Sequence, residues 1–572
     1  MLLKRTNLEL FSLIILGLLA YAILFIRVGF LLGTTINVLT LPVIIISYLI
    51  MVYLSVVLLN SYTKLNIDQS LAPYYFLSFL VFVILMGLFT YGLGYTYDTS
   101  WDGQGYHQTA IIALRMGWNP ILDSNIILLQ ELPSQIFAEG YPSAIWELQA
   151  SIYAFTNKIN SAKVLNLVFG FVSFLLLYDF FSSIKIRWML NTLLSFTVVF
   201  QPVYVLQIFT YMQDGLGYQL YVIAFVTLAK LAMNTSAYIS IPVFALSQIF
   251  LVSSKYSNLP VALVLSIICG LLLGNRFLNK DYKMSLQLRY WLIAVAVIVG
   301  IFAFVPYGRN LLWHKAMFYP VNRPELLGAV EYNNVPSNLK GSNKLSLLFY
   351  GVFSRSQEVE SGDPRSLYNI AILKWPFEFS WQEVLDGSSL FNNRVGAGGP
   401  LFSGIVLLSI LFLLFCGFVT QNRNQRYAVY LGWFSIVLFC VLAVLTPVPN
   451  LLRYVSQLQL IPFVVIVPLI TVFKKSYVNV FANLIAVLVL INVSLYAYGV
   501  VLRQHKEQKL INNQFSQMKE SGKTYYVRAQ QFYSNYALLA EHHVAFYVAD
   551  ELKCGNVDTL VSAYTTTQFC SR

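Results

Sequence analysis

A chain of 572 residues that is 58% hydrophobic and only 11% charged does not fold as a water-soluble globule, because soluble domains carry about a quarter charged residues. Its formal net charge of +12 invites a nucleic-acid reading. The basic residues sit in short loops between apolar runs, with no basic stripe among aromatics, so nucleic acid is excluded as a partner. The apolar runs recur along nearly the whole chain, which also excludes a single-span receptor.

In chain order the apolar runs fall near 9–31, 37–59, 72–94, 164–181, 188–206, 215–233, 237–252, 259–274, 289–306, 400–420, 427–446, 457–473 and 477–501. A bilayer core needs about 20 residues per helix, and this count gives about thirteen spans. The expected fold class is an all-α polytopic membrane protein. It divides into an N-terminal two-helix segment (1–71), a core transmembrane module (72–306) with a first outer loop at 95–160, a large outer loop (307–399), C-terminal membrane helices (400–501) and a tail domain (502–572). The first run is long and no small-residue cleavage site follows it, so no cleavable signal is expected.

Lysine and arginine in the short loops set the orientation. Lys4, Arg5, Lys64, Lys185, Arg187, Lys230, Arg276, Lys280, Lys283, Arg289, Arg423, Arg426, Lys474 and Lys475 fall on one side, and little beyond Lys255 and Arg453 on the other. The first set is expected to be cytoplasmic. The long insertions and the tail then face outward, with the N-terminus cytoplasmic and the C-terminus extracytoplasmic, in the cytoplasmic (inner) membrane.

The first insertion opens with Tyr97-Asp98-Thr-Ser-Trp101-Asp102-Gly-Gln-Gly-Tyr106-His107-Gln108. Two carboxylates at a membrane lip, among aromatics, are well placed to take a proton from a hydroxyl nucleophile. His107 could bond to Asp102 or to a substrate. The bland alternative is that Asp98 and Asp102 cap or solvate a helix, a common role for acids at loop–helix junctions. Ile111, Leu114 and Trp118 recur at helical spacing with Arg115 off that face, which predicts an outer-face interfacial helix with Trp118 at the headgroups. A second such helix is expected from Ser143 to Phe155.

Trp101-Asp102-Gly-Gln-Gly-Tyr106-His107 before a short helix resembles the first-loop motif of bacterial GT-C glycosyltransferases, integral membrane enzymes that use polyprenyl-phosphate sugars. Tyr211-Met-Gln213-Asp214-Gly215 is similar to the family's second acidic position, and Ser254-Lys255-Tyr256 to its lysine-containing turn. Asn310 with Phe318-Tyr319-Pro320 resembles the segment that opens the large outer loop, and Arg453-Tyr454 the late arginine–tyrosine pair. The resemblance covers about residues 72–475, with one apolar span more before the motif-bearing loop than many members have. It implies a GT-C fold and inverting transfer of a sugar to a lipid or glycan acceptor on the outer face, with Asp102 as general base, Asp98 as the runner-up and Asp214 positioning the acceptor or stabilising charge on the sugar. It implies no required cofactor, although some members use a divalent cation and others do not.

A phosphate leaving group needs positive charge at the same lip. Lys255, Arg309, Arg394 and Arg453 are the outward basic residues nearest span ends, with Tyr106, His107 and Tyr454 beside them in the motifs. Arginine grips phosphate bidentately and lysine acts as a point charge. For each, the bland reading is snorkelling to the headgroups. The glycines in Arg394-Val-Gly-Ala-Gly-Gly-Pro400 could let the backbone approach a ligand, or serve as a plain connector.

Cys269, Cys416 and Cys440 lie in apolar runs and read as small buried hydrophobes. The tail reads strand-like at 524–528, helical around 530–541 and strand-like at 544–548, a small α/β appendage. An outer compartment favours a Cys554–Cys570 disulfide over two unpaired thiols in a disordered end. His542-His543 reads as a surface pair. No zinc spacing, P-loop or dinucleotide fingerprint is visible. The rivals are a transporter or flippase of lipid-linked sugars, an O-antigen polymerase or ligase, and an assembly protein without chemistry. Against the transporter, no internal repeat is evident and the acids cluster at one lip.

Overall fold

The computed structural model describes residues 8–63, 72–123, 126, 135–233, 237–278, 282–324, 334–355, 370–387, 394–473, 476–530, 532–561 and 567–571. Of the residues used for orientation, Lys4, Arg5, Lys64, Lys280, Lys474 and Lys475 lie outside these.

The helices are α1 (Leu8–Leu31), α2 (Thr40–Thr63), α3 (Ala72–Leu93), α4 (Gln108–Arg115), α5 (Gln135–Gly140), α6 (Ala144–Thr156), α7 (Val164–Ser183), α8 (Trp188–Val199), α9 (Pro202–Gln207), α10 (Asp214–Ala232), α11 (Ala237–Ser254), α12 (Leu259–Leu278), α13 (Tyr282–Val297) and α14 (Arg309–His314). They continue as α15 (Lys344–Phe353), α16 (Trp381–Gly387), α17 (Phe402–Phe418), α18 (Arg423–Val444), α19 (Ile461–Val472), α20 (Ser476–Glu520) and α21 (Ser534–Glu541). The chain is a helical, multi-pass membrane protein. Seven of its described helices are long and apolar enough to cross a membrane, or eight if the pair 289–302 and 304–314, bent by 54°, counts as one.

This set is smaller than the thirteen spans expected. Every apolar run is helical, but several are cut short. The run at 188–206 breaks at Gln201, where Pro202 starts a new helix, since proline suits a first turn and not an interior. The run at 457–473 opens as a tight turn at Ser456–Leu460 before α19 begins.

The helices at 108–115 and 144–156 present no apolar face to their surroundings. Residues 108–114 and 144–154 are all buried, and Trp118 is 6% exposed. Of their polar side chains, which suggested a wetted face, Glu147 meets a partner from a distant element. Glu147 takes the Arg27 guanidinium of α1 at 3.1 Å and the Ser143 hydroxyl at 2.6 Å. Arg27 also donates to the Phe302 carbonyl at 2.9 Å. An ion pair without water stands only when so saturated.

The division at 501 is not a boundary, because α20 runs unbroken from Ser476 to Glu520. Thirteen of its last 19 residues are strong helix formers such as Gln, Lys and Glu, and Gly522 at φ +64° ends it. Beyond it lies a four-stranded sheet in the order β2-β1-β4-β3, from β1 (Tyr525–Arg528), β2 (Phe546–Val548), β3 (Asp558–Thr559) and β4 (Gln568–Ser571). The pair β1–β2 is parallel, and β4 runs antiparallel to β1 and β3. Cys554 and Cys570 are disulfide-bonded, with Cα atoms 6.1 Å apart. Cys269 and Cys416 are buried and Cys440 is half-buried.

This tail packs onto the Tyr97–Gln104 loop. Tyr97 donates its N–H to Gln508 at 2.9 Å and its hydroxyl to Asn512 at 2.8 Å. The ring of His542 stacks on Phe515 at 4.6 Å and reaches the Tyr97 hydroxyl at 2.6 Å. His542 is therefore an interface residue, not half of a surface pair. Glu541 accepts the Ile159 N–H at 2.7 Å, and burial pushes its pKa from 4.5 up to about 7. A raised carboxyl pKa means the docked state binds the proton more tightly than the undocked one. Docking is expected to weaken as pH rises from about 4.5 to about 7 and to be flat above. Thermal melting on both sides of that window should show this slope in the native chain and not in Glu541→Gln.

Candidate functional site

The 97–107 loop leaves α3 and is fixed by its own side chains. Asp98 Oδ1 accepts the Ser100 N–H at 2.8 Å and the Ser100 hydroxyl at 2.6 Å, while Oδ2 accepts the Tyr211 N–H at 2.6 Å. The Asp98 carbonyl takes the Gln104 amide at 2.9 Å. A Cβ at Gly103 would overlap the Asp98 carboxylate, so the turn requires glycine there. Burial pushes the Asp98 pKa up to about 6, against the pull of Lys163, Ser100 and Tyr211. With 3% exposure and donors on both oxygens, Asp98 ties the first loop to the 211–214 segment.

That tie brings the two other acids together. The Arg453 guanidinium stands between them, with Nη1 3.1 Å from Asp102 Oδ2 and 3.8 Å from Asp214 Oδ2. Lys255 pairs with the other Asp214 oxygen. The Asp102 side chain is 19% exposed and that of Asp214 only 2%, so the cluster opens on the Asp102 side. The Tyr454 ring lies under both cations, 4.5 Å from Lys255 Nζ and 4.9 Å from Arg453 Cζ. Burial works against both charges. For Lys255 the Asp214 carboxylate outweighs it and holds the pKa above its usual value. Arg453 is held above its own by Tyr454, Asp102 and Asp214.

His107 stands beside this cluster with its protonation settled by its neighbours. Trp146 of α6 donates its indole N–H to His107 Nδ1 at 2.8 Å. An indole only donates, so Nδ1 carries no proton and Nε2 does. Burial and the nearby Lys255 and Arg453 charges push the His107 pKa well below 6.5, against Asp214. The imidazole is a neutral hydrogen-bond donor at neutral pH. The Tyr106 ring packs on it at 4.3 Å, and burial followed by the Asp102 charge holds the Tyr106 hydroxyl protonated.

The motif pieces from the third and fourth segments also meet. The Tyr256 hydroxyl donates to the Gly140 and Tyr319 carbonyls at 2.6 and 2.9 Å and accepts from Asn310 Nδ2 at 2.9 Å. This knot fixes the Lys255 turn against the opening of the large insertion. Arg309 is spent here, donating to the Pro120 carbonyl at 3.2 Å and to Asn310 at 3.2 Å. Arg394 enters the fold through its carbonyl, which accepts from Asn450 at 2.9 Å. The glycines after it serve packing: Gly399, at φ +95°, lies where a Cβ would strike Asn492 of α20, and Asn492 holds the Gly398 carbonyl and the Leu401 N–H. Neither arginine belongs to the acid cluster.

Three contributors were not legible in the sequence. Gln207 Nε2 reaches Asp214 Oδ2 at 3.3 Å and Gln207 Oε1 takes the Gly215 N–H at 2.6 Å. Trp146 and Gln213 complete the support. Turned so that its amide is satisfied, Gln213 donates to the Ser254 carbonyl at 2.5 Å and shares the Trp146 indole N–H with His107, as its more distant acceptor at 3.0 Å. A glutamine seven residues before an acid, or a tryptophan on an apolar helix, carries no signal of this kind.

The cluster does not fit a divalent cation, because the oxygens such an ion would take from Asp102 and Asp214 face a guanidinium and an ammonium. Among the described residues no group of three or more His, Cys, Asp or Glu could hold a metal. The arrangement suits an anion that competes for the cations and a hydroxyl that approaches Asp102. Compared with known proteins, the chain matches no family model, no curated protein and no solved structure.

Proposed function

We propose that the chain is an inverting membrane glycosyltransferase of GT-C type that moves a sugar from a polyprenyl-monophosphate carrier to a lipid or glycan acceptor. In this reading the site faces the outer side of the cytoplasmic membrane, with the N-terminus inside, the tail outside, and the shorter apolar helices completing the thirteen crossings. The disulfide in the tail and the lysine-poor loops around the site support that orientation.

The observation that carries the reading is the Asp102–Arg453–Asp214 arrangement, with Nη1 of one arginine 3.1 and 3.8 Å from the two carboxylates. A donor phosphate would draw Arg453 and Lys255 toward itself, and Arg453 would loosen from Asp102. Asp102 then takes the proton of the acceptor hydroxyl as that oxygen bonds to the anomeric carbon. The bond from the anomeric carbon to the phosphate oxygen breaks, and polyprenyl phosphate leaves with both electrons of that bond. Asp214, 2% exposed and locked by Lys255 and Gln207, holds the cations and stabilises positive charge on the ring. His107 Nε2–H donates to a sugar hydroxyl or phosphate oxygen.

The purified protein in vesicles, given polyprenyl-phosphate pentoses and hexoses with glycolipid acceptors, is expected to release polyprenyl phosphate in step with sugar transfer. Donor affinity should fall in Lys255→Ala and not in a variant of Arg309 that still folds. Absence of turnover over the whole donor panel, with donor binding unchanged by Lys255→Ala, would overturn the reading.

A further inference from the structure

Residues 370–387 of the large insertion are built inside out. Three of their charges are paired: Lys374, 7% exposed, donates to Glu383 at 2.5 Å and to the Pro400 carbonyl at 2.7 Å, and Glu378 pairs with Arg355. Several of their large apolar side chains are exposed instead. Trp375 is 82% exposed and Trp381 59%, with Phe377 and Phe379 open between them. Phe349 of α15, which ends in a strand-like bridge from Ser354 to Leu373, is 50% exposed as well. Monomers in water rarely present contiguous apolar patches of this kind.

The depth of the segment follows from the helices that hold it. Phe377 packs on the first turn of α17, where a Cβ at Gly404 would overlap its ring. α17 has 17 residues, about 25 Å at 1.5 Å per residue, which is shorter than a hydrocarbon core of about 30 Å. With its C-terminal end at the opposite boundary, its first turn lies a few ångströms short of the headgroups. The second helix agrees: Asn492, which holds Gly398 and Leu401, lies 16 residues into α20, again about 24 Å from that helix's start. Both place the aromatic segment at the level where tryptophan prefers to sit, between acyl chains and headgroups. α17 and α18, on which the segment rests, also leave apolar side chains exposed, among them Leu411, Phe418, Phe434 and Val441.

We infer that residues 370–387 form a membrane-seated shelf whose partner is the bilayer, with Trp375 and Trp381 inserted at the headgroup–acyl boundary on the site's side. The shelf is joined to the site's own loop: Ala371 shares an apolar cluster with Val448 and Leu451, two residues before Arg453, and Tyr454 packs against the same cluster. A lipid-borne molecule at the shelf stands next to that loop without entering water. This placement requires only that the chain spans a membrane.

The test uses the full chain in phosphatidylcholine vesicles, with Cys269, Cys416 and Cys440 replaced by Ser and the tail disulfide kept. A fluorescent NBD label is placed at Trp375→Cys, at Trp381→Cys and, as the water-facing control, at Lys523→Cys beyond the end of α20. Both shelf labels are expected to lose iodide quenching relative to the control and to be quenched by lipid carrying a nitroxide near the headgroup end of its acyl chain. Iodide quenching equal to the control would overturn the inference. So would shielding from both quenchers, which would mean that a second copy of the chain covers the shelf.

Discussion

Asp102→Asn is expected to abolish sugar transfer while leaving the protein inserted, folded and able to bind donor. The amide keeps the shape of the carboxylate, and its carbonyl oxygen still accepts from Arg453 Nη1, 3.1 Å away in the native chain. Only the capacity to take a proton is lost. A general base contributes about 10²–10⁴-fold, so turnover should fall by that much with donor KM little changed. Asp98→Asn is the contrasting case. Its carboxylate accepts three hydrogen bonds, from the Ser100 and Tyr211 N–H groups and the Ser100 hydroxyl, and an amide nitrogen turned toward any of them would face a donor. That variant should lose thermal stability first, and activity only in proportion to the unfolded fraction. Native turnover in Asp102→Asn would remove Asp102 from the base role, whatever Asp98→Asn does.

The two acids differ in a way the sequence does not express. Both sit in the same twelve-residue string, both follow a membrane helix, and their spacing permits one helical face. Their roles part because Tyr211, 113 residues away, donates to one, and Arg453, 351 residues away, to the other. The apolar runs are legible because each of them carries its own signal in its composition. The short buried helices are not, because Gln104, Gln108, Glu147 and Gln149 look wetted until their surroundings are known. Arg27, near the end of the first apolar run, is the partner of Glu147, and nothing local in either segment announces the other. The four cations expected to face outward divide for the same reason. Lys255 and Arg453 meet Asp214, while Arg309 is consumed by Pro120 and Asn310. The break at Gln201-Pro202 is the one feature of the fold's irregular parts that a sequence rule covers directly.

Arg453→Met should be the most damaging single change at the site, in both stability and donor binding. Methionine fills much of the arginine stem's volume, so the effect isolates the guanidinium. Its loss leaves Asp102 and Asp214 facing each other with only Lys255 on the far side of Asp214. Removing one partner of a buried ion pair costs about 3–5 kcal/mol, and here one cation serves two acids. Donor affinity should fall with it, since no second bidentate group stands at the cluster. Arg453→Lys would restore charge without the planar fork and should recover stability more than donor binding. The decisive comparison is the double variant Asp102→Asn/Arg453→Met. If the arginine's structural work is to separate the two carboxylates, neutralising one acid relieves the repulsion that its loss creates. The double variant should then be more stable than the sum of the two single losses, by the 0.5–3 kcal/mol typical of contacting residues. Strict additivity in thermal or denaturant unfolding would mean that Arg453 is anchored by the Tyr454 ring and by Met212, whose Sδ lies 3.9 Å from Nη1, and that its position between the acids does not hold the site together.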